Sequence, residues 1–476
     1  MSKIFNIKDQ KSMKRFDELQ LQRSNNFDAV SNDVIEIISK IRDHGDDALV
    51  EYTNRFDKNK LILDDLLISK NIIDQSINNI DEDLSNALRF SYKRIYDYHK
   101  HIKPENKFYV DEIGTKIDLV WNPIESVGIY VPGGKAIYPS SVLMNAIPAI
   151  VAGAKRIVMV TPSINGTPNE SILAAASICN VNEVYQIGGA QAIAALAYGT
   201  SSIRKVDMIV GPGNSYVAAA KKNVFGDVGV DMVAGPSEVL VVADSNVDSD
   251  WVIEDLFAQA EHDDNAQSIL VTKDIEFANI IEQKINQRLS QIEQNSTLKN
   301  SWNSYGSIIL CENNKEITDF INYIAPEHLQ LCTLDANDLV KSISNAGAIF
   351  IGEYTPEAIG DYVAGSNHVL PTLQTAKFSS GLSVLNFMKK TSIIECDKDN
   401  FQKIAPSAIS IAEEEGLMSN AQVSYTHLTL PTHPDVSMSV EDRAYKRQKE
   451  ERHGARKRRK KREERTSGSK YREGER

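Results

Sequence analysis

The chain has 476 residues and a formal net charge of −12 at pH 7, with 42% hydrophobic and 25% charged residues. These values are typical of an ordinary soluble protein with ample core, and the length suggests about two to four domains. The acidic excess argues against nucleic acid as a general partner. No signal-peptide pattern opens the chain, and no apolar run approaches the roughly 18 residues that a membrane helix needs. We therefore expect a cytoplasmic protein that binds neither nucleic acid nor membrane.

The first part of the chain, to about residue 110, is polar and rich in helical patterns. The stretch DVIEIISKIRDHGDDALVEYTNRFD (33–57) has apolar residues at helical spacing, and Gly45 interrupts it. The four cysteines are far apart in sequence and form no CxxC pair. We interpret them as reduced thiols in a cytoplasmic protein.

From residue 125 onward, an apolar strand, a glycine turn and a helix recur several times. ESVGIYVPGG (125–134) is predicted to be a strand that enters a loop, SSVLMNAIPAIVAGA (140–154) a helix, and RIVMVTP (156–162) a buried strand. A second series starts at SEVLVVAD and ends in AGAIFIG. This rhythm predicts two α/β modules with open, mostly parallel sheets, and a helix at 400–417 that lies outside both.

Three glycine turns follow predicted strands, at Gly133-Gly134, Gly188-Gly189 and Gly211-Pro-Gly213. Glycines at a helix start let backbone N–H groups approach a phosphate, and their recurrence indicates a nucleotide cleft. None of them is the G-x-G-x-x-G fingerprint, so plain βα turns remain the alternative for each loop. Polar side chains beside the turns could contact a cofactor: Tyr130, Gln191 and Asn214.

The stretch LFAQAEHDDNAQ (256–267) places Gln259 and His262 three residues apart, on one face if the segment is helical. Two ligands would hold a metal only loosely, and Asp361 in IGDYVAGSNH is the best further donor, with His368 seven residues later. An amide, an imidazole and a carboxylate favour Zn²⁺ or Mn²⁺. The alternative is a solvated helix end where Gln259 makes a surface hydrogen bond.

The stretch YIAPEHLQL (323–331) contains the candidate acid–base pair, Glu327 and His328. Pro326 could open a helix, and a helix start would lower the pKa of His328 and keep it ready to accept a proton. The alternative is an exposed Glu–His pair on a solvated helix start. Cys332 lies in an apolar run, so we interpret it as a core thiol and not as a nucleophile.

Eight motifs in this order resemble the histidinol dehydrogenase family: GIYVPGG, YPSSVLMNAIPA, IGGAQAIAAL, VGPGNSYV, AGPSEVLV, AQAEHD, APEHLQL and GDYVAGSNHVLPT. The resemblance runs from about the N-terminus to Gln422. It implies a homodimer that oxidises L-histidinol to L-histidine through L-histidinal. The reaction uses two NAD⁺, and each subunit binds one zinc ion. It also implies two Rossmann-like domains and smaller segments that reach into the partner subunit.

By the same resemblance, the expected domains are a helical N-terminal arm (1–25), a first Rossmann-like domain (26–128 with 236–380), a second one with the NAD loops (129–235), and a dimer-reaching segment (381–422). Gln259, His262 and Asp361 match zinc ligands, and Glu327 and His328 match the catalytic pair. Tyr130, Gln191 and Asn214 match the NAD positions. The expected substrate contacts are Ser237, Gln259, His262, His328, Asp361 and Glu415.

The C-terminal end departs from the family pattern. The family has a zinc-ligating His where this chain has Asn420, which predicts weaker zinc binding and slow turnover; His427 or His433 could substitute for it. Residues 441–476 hold 16 Lys or Arg against 8 Asp or Glu, and we expect the whole of 423–476 to be a disordered or non-native tail rather than a binding tail. Two other functions stay open, a metal-dependent hydrolase and a catalytically inactive histidinol-binding homologue.

Overall fold

A computed structural model describes residues 2–25, 30–133, 137–163, 166–233 and 235–429. These described residues divide into two units, the first drawn from 1–107 and 119–392, the second from 108–118 and 393–429. None of the helices in the described ranges combines the length and the apolar character needed to cross a bilayer.

The strands of the described residues are β1 (Ile4–Asn6), β2 (Lys107–Val110), β3 (Lys116–Pro123), β4 (Ser126–Tyr130), β5 (Arg156–Val160), β6 (Glu183–Tyr185), β7 (Met208–Val210), β8 (Gly229–Val230), β9 (Glu238–Ala243), β10 (Gln267–Thr272), β11 (Ser307–Leu310), β12 (His328–Cys332), β13 (Ala348–Ile351) and β14 (Met388–Glu395).

The α-helices of the same residues are α1 (Gln10–Asn25), α2 (Ser31–Asp57), α3 (Lys70–Asn79), α4 (Glu82–His101), α5 (Pro139–Ala152), α6 (Glu170–Ile178), α7 (Gly189–Tyr198), α8 (Ser215–Val224), α9 (Ser249–Ala260), α10 (Ile275–Gln291), α11 (Thr297–Tyr305), α12 (Asn314–Ile324), α13 (Ala336–Leu339), α14 (Glu357–Tyr362), α15 (Lys398–Glu414) and α16 (Met418–Thr429). Short 3₁₀ turns lie at Leu63–Asp65, Val340–Ser342, Thr375–Lys377 and Val384–Phe387.

The first unit contains two parallel sheets. The five-stranded sheet has the order β6-β5-β4-β7-β8, and the six-stranded sheet has the order β1-β11-β10-β9-β12-β13. Both contain the 3-2-1-4-5 strand order of Rossmann-like folds. The central strands β4, β9 and β10 are buried along their whole length, because helices cover both faces of each sheet. The predicted fold class, with two Rossmann-like domains, is therefore confirmed.

The long helix α2 packs on the five-stranded sheet and not on the six-stranded one. Its apolar side chains, among them Val34 and Leu49, share a core with Ile193 and Leu196 of α7. The predicted grouping of residues 26–128 with 236–380 is therefore wrong for this helix, because its apolar face is complementary to α7 and α8. The predicted break lies at Gly45, where φ is 55° and the helix kinks.

The N-terminal segment is more than the predicted helical arm. Strand β1 adds to the edge of the six-stranded sheet by pairing with β11, and Phe5 and Phe16 are fully buried in the core beneath it. The guanidinium of Arg23, near the end of α1, is also fully buried. Residues 2–25 therefore form part of the first unit, since both apolar and charged contacts fix this segment there.

In the second unit, α15 and α16 pack together through Ile409, Ala412 and Ala421. Helix α16 continues to residue 429, so residues 423–429 are helical and not disordered, while the expectation of a non-native tail stays a prediction. The rest of the predicted tail lies outside the described residues. The strands β14, β3 and β2 form a small sheet in this order, through which the chain passes from one unit to the other.

Candidate active site

A cavity of about 860 Å³ in the first unit is lined by loops from both parallel sheets. The five-stranded sheet contributes the loops that follow its strands. The six-stranded sheet contributes residues that precede or begin β9, β10 and β12, together with α14 and the segment after it. The carboxyl edge of one sheet thus faces the amino edge of the other. Nine of the predicted site residues line this cavity: Tyr130, Gln191, Asn214, Ser237, Gln259, His262, Glu327, His328 and Asp361.

The glycine loops of the five-stranded sheet bring the backbone close to the cavity wall. Gly211 has a φ of 113°, and a Cβ atom there would lie 2.1 Å from the carbonyl oxygen of Tyr130. Only glycine fits this position, because any side chain would overlap the neighbouring strand. The hydroxyl oxygen of Tyr130 accepts a hydrogen bond of 3.1 Å from the N–H of Gly189. Tyr130 therefore holds one glycine loop against the end of β4.

Two polar side chains beside these loops differ in their surroundings. Gln191 is 1% exposed, and neither its amide oxygen nor its amide nitrogen has a hydrogen-bond partner in the protein. Such an amide costs free energy unless a ligand or water satisfies it. Asn214 instead caps α8, since its side-chain oxygen accepts hydrogen bonds from the N–H groups of Tyr216 and Val217. Its remaining amide nitrogen is the part that a ligand could contact.

The predicted acid–base pair lies at the amino end of strand β12. Pro326 does not open a helix, so the expectation of a helix start, and of a lowered pKa for His328, is wrong. Parallel pairing of β12 with β9 places His328 beside the start of β9, and its Nδ1 lies 3.0 Å from the carbonyl oxygen of Glu238. If Nδ1–H donates this bond, the neutral imidazole has its free lone pair on Nε2, which can accept a proton or a hydrogen bond.

Three buried carboxylates surround the imidazole of His328. Nδ1 lies 3.4 Å from Glu357 Oε1 and 3.7 Å from Glu327 Oε2, and Nε2 lies 3.6 Å from Asp361 Oδ1. Burial alone disfavours the imidazolium, but these carboxylates outweigh it and raise the pKa of His328 well above its ordinary value. Burial raises the pKa of Glu327 to about 7 and that of Glu357 to about 8. Protons can therefore be exchanged within this cluster near neutral pH.

Glu357 was missed by the sequence analysis. It begins α14, and Asp361 lies one turn later on the same helix. The spacing of four residues between two acidic side chains was the available signal. With His328, these two residues form a group whose ligand atoms lie within 4.8 Å of one another, a geometry that could hold a metal ion.

The predicted metal ligands partly fit this geometry. Gln259, at the end of α9, is fully buried, and both atoms of its amide lack a protein partner. His262 follows the helix and is exposed, and its N–H donates to the carbonyl oxygen of Gln259. Burial alone would raise the pKa of Asp361, but nearby imidazoles, including that of His262, lower it. The side chain of Gln259 and the charge of Asp361 are thus both suited to a cation.

A buried arginine in the wall of the cavity connects the loops that carry these residues, and no local pattern in the sequence predicts it. The guanidinium of Arg23 donates to Glu238 Oε1 (2.6 Å) and to the carbonyl oxygens of Pro236, Ser237 and Asn265. The carboxylate of Glu238 also accepts from the N–H groups of Leu373 and Glu327. The Glu238 N–H in turn donates to the Glu327 carboxylate at 2.8 Å. Arg23 therefore fixes the amino ends of β9 and β12.

Two expected site residues belong to the second unit and are not among the residues that line this cavity. Glu415 follows the last residue of α15, Asn420 lies in the first turn of α16, and both side chains are exposed. The described thiols offer no activated nucleophile in the cavity either. Burial raises the pKa of Cys332 to about 11, which supports its interpretation as a core thiol.

The two Rossmann-like sheets, with a buried imidazole–carboxylate cluster between their facing edges, define an α/β enzyme. Comparison with known proteins makes the class specific: the family model described as histidinol dehydrogenase matches residues 20–426. The chain belongs to the histidinol dehydrogenase family, which consists of oxidoreductases of histidine biosynthesis. The alternative of a metal-dependent hydrolase is therefore wrong.

Individual relatives agree with this result. A histidinol dehydrogenase of Rhizobium meliloti (strain 1021) is 49% identical over 394 residues, which are 83% of this chain and 91% of the relative. A histidinol dehydrogenase of Rhodospirillum rubrum is 50% identical over 388 residues, or 81% of this chain and 89% of the relative. The crystal structure of histidinol dehydrogenase from Elizabethkingia anophelis superposes with a TM-score of 0.82 at 32% identity, covering 90% of this chain and 98% of that one.

Proposed function

We propose that the protein catalyses the NAD-dependent, four-electron oxidation of L-histidinol to L-histidine through L-histidinal. The observation that carries this proposal is the convergence, in one cavity, of three glycine loops with a buried His328–carboxylate cluster. The loops suit a dinucleotide and the cluster suits proton transfer, and an alcohol dehydrogenase needs both. Membership of the family supports histidinol as the substrate.

The residues of the five-stranded sheet fit a bound NAD⁺. The close approach of Gly211 to the end of β4 brings the N-terminus of α8 to the cavity, where its N–H groups could meet phosphate groups, and the unsatisfied amide of Gln191 supplies a donor and an acceptor. Tyr130 and Asn214 complete the set, the first by fixing the loop at Gly189 and the second at the N-terminus of α8. When bound, NAD⁺ would supply the hydride acceptor for each of the two oxidations.

Gln259, His262 and Asp361 would hold a zinc ion, with Mn²⁺ as a chemically acceptable substitute. The fully buried and unpartnered amide of Gln259 supports this, because its oxygen has no other partner in the protein. When bound, the ion would supply a Lewis acid that positions the substrate. Ser237, whose backbone Arg23 fixes, would contact the substrate on the same side.

His328 accepts the alcohol proton in the first oxidation. Its Nδ1 is committed to the carbonyl oxygen of Glu238, which leaves Nε2 to act as the base, and the surrounding carboxylates stabilise the imidazolium that forms when Nε2 takes the proton. In the second oxidation, Glu327 takes a proton from the water that hydrates the aldehyde. With a pKa of about 7, its carboxyl group can accept and release that proton near neutral pH.

We further propose that the active form is a homodimer in which the C-terminal segment completes the site of the neighbouring subunit. Glu415 would then contact the neighbour's substrate. Asn420 would take the place of a zinc-ligating histidine. An amide oxygen is a weaker zinc ligand than an imidazole nitrogen, so zinc affinity and turnover would both be reduced.

The function is tested by measuring zinc content together with histidinol-dependent NADH formation in the purified full chain. We expect NADH only when histidinol and NAD⁺ are both present, and we expect two NADH per histidinol. Glu327→Gln should slow the second oxidation more than the first, whereas His328→Asn should slow the first.

A catalytically inactive histidinol-binding homologue is the second candidate, and the asparagine at position 420 favours it. Calorimetry that shows histidinol binding, without NADH production after zinc is added in excess, would support that reading. The same result would refute the proposed oxidation.

A further inference from the structure

An aspartate at the end of α2 has a carboxylate that the protein leaves unsatisfied. Asp57 lines the cavity, and its Oδ2 is buried without a hydrogen-bond partner. Burial raises its pKa to about 6, and no ion pair with a described residue lowers it again. A carboxylate in such a position is costly to the free protein and is explained if a ligand supplies donors to it.

The position of Asp57 in the fold indicates which part of a ligand it would meet. The amide nitrogen of Asn59 donates to the carbonyl oxygen and the hydroxyl of Ser163, each at 3.0 Å, just beyond the carboxyl end of β5. Strand β5 is the second strand in the 3-2-1-4-5 order of the five-stranded sheet. In dinucleotide-binding folds, an acidic side chain that binds the adenosine ribose follows the corresponding strand.

The loop that directly follows β5, where Rossmann-like folds usually carry this acidic residue, contains no acidic side chain. Residues 161–169 after β5 read TPSINGTPN and contain neither Asp nor Glu. Helix α2, which comes from an earlier part of the chain, brings Asp57 to this end of the sheet instead. The acid that the Rossmann-like fold normally carries on its second strand is thus supplied by a separate element.

We propose that Asp57 accepts hydrogen bonds from the ribose hydroxyls of the adenosine half of NAD⁺ and excludes the 2′-phosphate of NADP⁺. This inference rests on the proposed use of NAD. Two adjacent hydroxyl donors would satisfy a carboxylate, whereas a phosphate would place a second negative charge against it in a partly desolvated site.

The charges that line the cavity agree with exclusion of a 2′-phosphate. Among the described lining residues, the only arginine is Arg23, there is no lysine, and the guanidinium of Arg23 is already bonded to Glu238 and to backbone carbonyls. Sites that accept NADP⁺ use an arginine near the ribose. The described part of this cavity offers no such partner.

The test is direct binding of NAD⁺ and of NADP⁺ to the purified full chain by calorimetry, without histidinol. The wild-type chain should bind NAD⁺ far more tightly than NADP⁺. Asp57→Asn should weaken NAD⁺ binding by about 10-fold, because a charged acceptor is lost, and should strengthen NADP⁺ binding. The ratio of the two affinities should therefore fall by roughly 100-fold, and Asp57→Ala should behave in the same way.

The matched control is Asp64→Asn, which removes a carboxylate from an exposed residue near the same helix end that does not line the cavity. It should leave both affinities unchanged. Because Asp57→Asn removes an unpartnered buried charge and keeps the shape of the side chain, its melting temperature should equal or exceed that of the wild type.

An unchanged NAD⁺ to NADP⁺ affinity ratio in Asp57→Asn and Asp57→Ala overturns the inference, as does equal binding of both dinucleotides by the wild type. These outcomes are distinct from a failure of the proposed function. If NAD⁺ binds with the expected dependence on Asp57 but histidinol yields no NADH, the oxidation fails and the inference stands. In steady-state assays, the variants should raise the KM for NAD⁺ and leave the KM for histidinol unchanged.

Discussion

Replacing Arg23 by Met removes the guanidinium that connects α1 to the loops of the active site. The variant loses the hydrogen bonds to Glu238, Ser237 and Asn265 while keeping much of the side-chain volume. Arg23 is 0% exposed and the side chain of Glu238 is 6% exposed. The carboxylate that remains is therefore buried without its cation.

Breaking a buried ion pair by removing one partner costs about 3–5 kcal/mol. The lower end applies here, because the Glu238 carboxylate keeps hydrogen bonds from the N–H groups of Leu373 and Glu327. We therefore expect Arg23→Met to lower the free energy of unfolding by ~3 kcal/mol. The double variant Arg23→Met/Glu238→Gln should regain part of this loss, since no buried charge is then left unpaired.

Urea unfolding followed by tryptophan fluorescence measures the stability, because Trp302 is buried in the core of the six-stranded sheet. Lys14→Met, an exposed position on the same helix, is the matched control and should change little. Steady-state kinetics provide a second measurement. In Arg23→Met, kcat should fall more than KM rises, since Glu238 positions Glu327 and His328. A loss of stability below about 1 kcal/mol, or a double variant no better than the single one, would refute this account of the ion pair.

Three further changes have defined outcomes. Asn420→His should tighten zinc binding, measured by calorimetry, by roughly 10-fold, the scale on which even supporting groups alter metal affinity; equal affinities would show that position 420 is not a ligand. His99 is fully buried, both ring nitrogens lack partners, and burial lowers its pKa to about 4 from the ordinary 6.5. Between these pH values the unfolded chain binds more protons than the folded chain. The contribution of the neutral His99 to the free energy of unfolding, at most about 3 kcal/mol, is therefore present above pH 6.5 and is lost as the pH falls toward 4. His99→Leu should therefore weaken the pH dependence of the urea midpoint between pH 7 and 5, and identical slopes would contradict this. Lys221 pairs with Asp231 and donates to the carbonyl oxygen of Gly211, so Lys221→Met should lower the melting temperature and weaken NAD⁺ binding by about 10-fold; unchanged NAD⁺ affinity would show that the ion pair does not shape the glycine loop.

Local patterns in the sequence were enough to predict the main elements of the two sheets. The expected helix at 140–154 corresponds to α5, and the expected strand at 156–162 corresponds to β5. These predictions succeeded because a buried parallel strand is a short apolar run, and a glycine turn ends it with a conformation that few other residues adopt. The order of eight motifs was sufficient to indicate the family.

Residues whose surroundings come from distant segments were predicted incorrectly or were missed. Pro326 suggested a helix start, but pairing of β12 with β9 makes His328 the first residue of a strand. That change reverses the direction of its pKa shift, because the helix dipole is replaced by three carboxylates. Arg23 and Asp57 carried no signal at all. Arg23 meets Glu238 across 215 residues of sequence, and Asn59, beside Asp57, meets Ser163 across 104.

The sequence by itself determined the repeated strand–turn–helix units, the kinked helix at Gly45 and the identity of most side chains that reach the cavity. These depend on periodicity and turn chemistry, which act over a few neighbouring residues. Only the tertiary structure decided that the carboxyl edge of one sheet faces the amino edge of the other, and which buried charges meet there. Desolvation and Coulomb interactions depend on distance in space and not along the chain, so the protonation of His328 and its neighbours follows from the packing of the two sheets.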